Sequence, residues 1–218
     1  MRTASRLPAR VGLLFLAATA VTAQERVFPV TLDTSTPIRY FIADALPGAQ
    51  SEQHDGQLAK WALDAWAVNS RGALSFIPSD SEDAALVRLY WVPASAGQYG
   101  EMRPFIVDGQ RGSAVYIRPD TSALGPDIAA LAAEDPLLRD TIVYLTCLHE
   151  LGHALGLAHT SNYDDVMYAF GYGGDIPRFF GRYRDKLESR RDIAKFSGLS
   201  IGDIAQLEEL YPPPTFVF

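Results

Sequence analysis

Residues 149–159 read His-Glu-Leu-Gly-His-Ala-Leu-Gly-Leu-Ala-His, and they hold three of the four histidines in a chain of 218 residues. His149 and His153 stand one helical turn apart, so their rings leave the same helix face and can grip one ion. Gly156 permits a sharp turn after the helix because glycine tolerates positive φ, and the turn can bring His159 back as a third nitrogen. Three imidazoles leave one tetrahedral position open for water, which is the pattern of a catalytic zinc and not of a closed structural one. Glu150 lies about 100° round the helix from His149 and can reach that water. Other divalent ions also accept three imidazoles, so zinc is assigned on ligand type. The bland alternative is three unrelated histidines near a helix end, which five fixed positions disfavour far more strongly than a bare HExxH would.

Composition narrows the setting. With 48% hydrophobic and 21% charged residues the chain is globular, and its length suits one domain with a real core. Cys147 is the single cysteine, which excludes an internal disulfide framework and any multi-cysteine zinc site. Residues 1–23 look like a secretory signal peptide: Arg2, Arg6 and Arg10 precede an apolar run from Val11 to Ala20, and Val21-Thr22-Ala23 offers a cleavage site before Gln24. The run is too short to span a bilayer. A secreted or periplasmic product is expected, monomeric and without stable membrane insertion. Removing 1–23 takes three arginines and no acid, which moves the formal charge from −7 to −10. An acidic surface of this kind argues against nucleic-acid binding.

Residues 24–218 read as one α+β domain. Strands are expected at Ile38–Ile42, Leu74–Ile77, Val87–Val92 and Ala114–Ile117, from their β-branched and aromatic content. Leu58, Trp61, Ala62, Ala65 and Trp66 recur at helical spacing between Gln53 and Asn69. Ala94–Gly112, punctuated by glycine and proline, is expected to be a loop. Asp135-Pro136 opens a long helix that Gly156 stops, and a final helix is expected near Ser200–Leu210. The order suggests a twisted mixed β-sheet with a backing helix, an active-site helix and a C-terminal helix.

The segment 149–159 fits the pattern HExxHxxGxxH, and the chain thereby resembles the metzincin zinc peptidases. Asp165-Val166-Met167-Tyr168, whose methionine stands eight residues beyond His159, is similar to the metzincin Met-turn, in which the methionine underlies the metal site. The spacing and the Met-Tyr pair most resemble the matrixin branch and its bacterial relatives, and Leu199-Ser200-x-x-Asp203-Ile204 with Leu210-Tyr211 resembles the matrixin closing helix. The resemblance implies a zincin-like catalytic domain holding one zinc on His149, His153 and His159. It implies a secreted endopeptidase that hydrolyses peptide bonds through a zinc-bound water and Glu150 as general base, acting on a protein or peptide. It also implies that the substrate lies along an edge strand, for which Val115–Arg118 is the choice. Two alternatives stand: a zinc amide hydrolase on a non-protein or cell-wall peptide, and a metal-retaining binding protein without turnover. Intact Glu150 argues against the second.

The chain departs from matrixins in places. The segment Gln24–Pro37 has 14 residues, none of them cysteine, so a cysteine-bearing propeptide is not expected. Only His54 remains outside the motif, too few for a second histidine-rich zinc site. Tyr168 is a poor candidate for a fifth ligand. Cys147, about 200° round the helix from the metal face, reads as a small buried hydrophobe. Tyr163, Asp164 and Asp165 offer calcium-type oxygens, but a solvated turn is the expected reading. Residues 171–198 read as an insertion. Its Arg178, Arg182, Arg184, Lys186, Arg190, Arg191 and Lys195 suggest an amphipathic segment packing Phe179, Phe180 and Tyr183 on the domain. Gly171, Gly173 and Gly174 could also hinge it over the cleft.

Overall fold

A computed structural model describes residues 31–96 and 99–215, so the signal-type segment lies outside the described residues. Five strands form one sheet: β1 (Ile38–Ile42), β2 (Phe76–Pro78), β3 (Val87–Trp91), β4 (Gly100–Val107) and β5 (Gln110–Ile117), in the order β2-β1-β3-β5-β4. β1 pairs in parallel with β2 and β3, and β3 with β5, while β4 alone runs antiparallel. This is the mixed sheet expected of an α+β matrixin-like domain.

Two helices back the sheet. In α1 (Asp55–Asn69) Leu58, Ala62, Ala65 and Trp66 are buried as their spacing requires, whereas Trp61 is half-buried, with the Arg190 guanidinium 5.0 Å from its ring centre. The Trp66 indole donates to Leu148 O at 2.9 Å, pinning α1 to the long helix that carries the histidines. A short helix, α2 (Pro126–Glu134), precedes that one and was not anticipated. The long helix, α3 (Pro136–Leu155), starts as expected, with the Asp135 carboxylate accepting from Leu137 N and Leu138 N at 3.0 and 3.2 Å. Gly156 ends it at φ +101°. The last carbonyls of α3 are satisfied from the sheet and the C-terminus: Arg111 donates to Ala154 O, and Tyr211 to Leu155 O. These bonds fix the end of α3 where the turn toward His159 begins.

Two expectations fail here. Ala94–Gly112 is not a loop: it contains β4 and the start of β5, joined by a two-residue hairpin turn at Asp108 (φ +50°) and Gly109 (φ +78°). Consequently Val115–Ile117 lies in β5, paired on both sides, and is not an edge. The exposed edge is β4, where Pro104 is tolerated because an edge strand leaves one row of N–H groups unused.

After α3 come α4 (Ile176–Arg184), capped by Asp175, and α5 (Ile201–Leu210), opened by a Ser200/Asp203 capping box. The aromatics of α4 are buried as expected, since Phe179, Phe180 and Tyr183 fall on one face.

Candidate active site

The structure brings His149, His153 and His159 together. His149 Nδ1 lies 2.7 Å from Val166 O and His153 Nδ1 lies 2.9 Å from Leu157 O. A carbonyl only accepts, so each Nδ1 carries the proton and each Nε2 presents a lone pair. Those two Nε2 atoms sit 3.2 and 3.0 Å from His159 Nε2. Tetrahedral zinc with bonds of about 2.1 Å would separate its nitrogen ligands by about 3.4 Å, so a slight opening of the cluster admits the ion. Burial, with smaller repulsion from the other two rings, pushes His149 down to about 4, and burial also lowers His153. Both therefore rest in the neutral form that metals bind.

Glu150 follows His149 on α3 and is 7% exposed. Burial, reinforced by Glu101, raises its carboxyl to about 8 in the metal-free protein. A dication nearby would pull it back toward ionisation.

Met167 is fully buried, and its sulfur packs on Gly152, between His149 and His153 in sequence: a Cβ at that glycine would overlap Met167 Sδ and stand 3.0 Å from Trp66. The glycine inside the HELGH segment is thus the seat of the methionine. The turn at 165–168 is held from α5, where the buried Asp203 carboxylate accepts from Val166 N at 2.8 Å and Met167 N at 3.1 Å. Sequence reasoning marked Asp203 only as part of the closing helix. Its buried carboxylate serves two elements at once, a link made by tertiary folding.

The other candidates are placed as follows. Tyr168 donates to Gly173 O at 2.8 Å and is not aimed at the histidines. Cys147 is fully buried, and burial pushes its thiol up, as suits an inert core residue. The solvated-turn reading of 163–165 needs correction at Asp165, which is buried and accepts from Ser200 Oγ at 2.6 Å and Asn162 Nδ2 at 2.9 Å. Asp164 pairs with Arg182 at 2.9 Å, and Tyr163 donates to Asp175 O. The three oxygens engage separate protein partners and form no shared cage. A second cluster, His54, Asp55 and Asp140, gathers at the start of α1 and α3. Arg139 there forms a bidentate pair with Asp55, and Arg190 stands 2.9 Å from Asp140. Guanidinium groups already hold the cation positions.

Beside Glu150 and His149 opens a cavity of about 290 Å³, walled by Leu124, Leu145, Val166, Tyr168, Phe170, Phe179 and Phe180. Phe179 and Phe180 come from α4, so this part of the 171–198 insertion backs the pocket. Sequence reasoning saw the amphipathic segment but not what its aromatics face. Leu124, just before α2, was missed because nothing local distinguishes it.

The Matrixin family model matches residues 33–175 of the chain. Matrix metalloproteinase-20 of Homo sapiens is 30% identical over 148 residues, covering 65% of this chain and 29% of that protein. Matrilysin of Felis catus is 36% identical over 120 residues, covering 53% of this chain and 37% of its own. The chain therefore spans about a third of the length of these relatives.

Proposed function

Given that the chain belongs to the matrixin family, whose members are zinc metalloendopeptidases, we propose that it is an exported endopeptidase cleaving protein or peptide substrates. One observation carries this reading: three imidazole Nε2 atoms converge beside a buried glutamate at the mouth of an apolar pocket. His149, His153 and His159 would hold the zinc, which when bound supplies a Lewis acid that acidifies water and polarises a carbonyl.

The chain's own groups complete the reaction. An extended substrate pairs its backbone with the free edge of β4, so that main-chain hydrogen bonds align the scissile bond. The apolar pocket takes the side chain following that bond and orients it. Glu150 accepts a proton from the attacking water at a carboxylate oxygen and passes it to the leaving amide nitrogen. Met167 and Asp203 hold the floor under the histidines without entering the chemistry. Export through residues 1–23 and a single catalytic domain over 24–218 belong to the same proposal.

The test is to incubate zinc-loaded 24–218 protein with an unfolded protein, with and without chelator, and to map the cut bonds. Chelator-sensitive cuts preceding apolar residues are expected. Intact substrate under all conditions would reject the reading.

A further inference from the structure

β4 begins at Gly100, paired with Ile117 of β5 and facing Glu150 on α3. A Cβ built on Gly100 would overlap Glu150 Oε1 and lie 2.7 Å from its Cγ and 2.8 Å from its Cδ. Ordinary contacts of this kind begin at 3.4 Å, so one of the two groups would have to move.

The backbone does not ask for glycine here. Gly100 is absent from the positive-φ residues, unlike Gly109 in the hairpin turn. Glycine within a strand also weakens it, because it loses more entropy on ordering and leaves no side chain to pack. The strand would gain from alanine were it not for Glu150. Gly112 across the hairpin differs, since a Cβ there would meet Phe105 and the Leu86 carbonyl, which are core and sheet groups.

Glu150 has few other restraints. Among the described residues, no side-chain hydrogen bond or salt bridge to its carboxylate is found. Its position is set by packing, with α3 behind and the bare backbone of β4 in front. We propose that Gly100 is a positioning residue: the missing side chain at the head of the edge strand leaves the space in which the Glu150 carboxylate sits. This inference rests on Glu150 acting as the general base. It ties the strand proposed to bind substrate backbone to the group proposed to move the proton.

The test compares Gly100→Ala, Glu150→Asp and the double variant with wild type, all zinc-loaded, on one peptide. The added methyl should displace the carboxylate by about 1 Å, and misplacement on that scale costs about 10²-fold in rate. Gly100→Ala should therefore lower kcat about 10²-fold, with KM, zinc content and melting temperature close to wild type. The shorter side chain of Glu150→Asp withdraws from the new methyl, so adding Gly100→Ala in that background should cost little more. Such non-additivity marks direct coupling. Wild-type kcat in Gly100→Ala overturns the inference, and so does an equal loss in both backgrounds, which would mean a general disturbance of β4. A crystal structure of Gly100→Ala decides independently of turnover: a displaced Glu150 carboxylate supports the inference and an unmoved one overturns it. If wild type cleaves no peptide, the proposed activity fails while the crystallographic comparison still judges Gly100.

Discussion

The Nε2 atoms of His149 and His153 lie 3.2 and 3.0 Å from His159 Nε2, close enough for all three to share one cation. Replacing all three by alanine should remove one zinc equivalent per chain from a protein that still folds, as metal analysis would show; a retained equivalent would place the metal elsewhere. Glu150 gives a second prediction. In the metal-free protein its carboxyl is raised from 4.5 to about 8. The unfolded chain gives up this proton near the ordinary value, while the folded chain keeps it until near pH 8. The folded state thus binds more protons in this window, and Glu150 makes stability fall as pH rises from about 4.5 to 8. Glu150→Gln has no such proton to lose. Without metal it should melt above wild type at pH 8, the gap narrowing toward pH 4.5, and a pH-independent gap would contradict the burial of an ionisable group there. At the buried Met167, Met167→Leu nearly conserves volume and should cost less than about 1.5 kcal/mol, measured by denaturant unfolding, with most activity kept. The convergence of the three histidines was legible in the sequence because one helical turn and one glycine fix their geometry locally. The contacts of Gly100 with Glu150 and of Gly152 with Met167 were not, because each joins elements that meet only on folding.

Among the elements, β4 and α4 shape the cleft. The strand was hidden in sequence by Pro104 and its flanking glycines, although Asp108-Gly109 is a hairpin signal that periodicity alone does not weigh. Without that strand Val115–Arg118 reads as an edge, since β5 becomes internal only once β4 is added. The role of α4 was half legible: spacing put Phe179, Phe180 and Tyr183 on one face, but no local pattern says that two of them back the pocket. Tyr183 packs instead on Tyr144 of α3, so the element is anchored by a buried aromatic face and not swung by its glycines as a free lid. If Phe180 limits the pocket, Phe180→Leu should favour larger residues after the scissile bond. Pocket changes of about a methylene shift discrimination by roughly 10–200-fold, so the kcat/KM ratio of a tryptophan-bearing to a leucine-bearing peptide should rise at least about 10-fold. An unchanged ratio would assign the limit to Leu124, Leu145 or Tyr168.

The whole molecule joins a family-matched part, residues 33–175, to a C-terminal part that the match does not reach. The two are not separable in the site. The second supplies Phe179 and Phe180 to the pocket and Asp203 to the turn at Val166 and Met167. The α+β class, the order of most elements and the ligand set could be read from residue patterns; the sheet order and the closure of the cleft could not, because pairing between distant strands leaves no local mark. On the proposed reading, what unites these parts is a hydrolytic centre in which the histidines hold metal and Glu150 moves the proton. The direct measurement is turnover and zinc content of Glu150→Gln beside wild type, on the same unfolded substrate at neutral pH. Zinc should stay at one equivalent while turnover drops by about 10²–10⁴-fold, the usual contribution of a general base. A metal-loaded Glu150→Gln protein that cleaves at the wild-type rate would contradict the assignment.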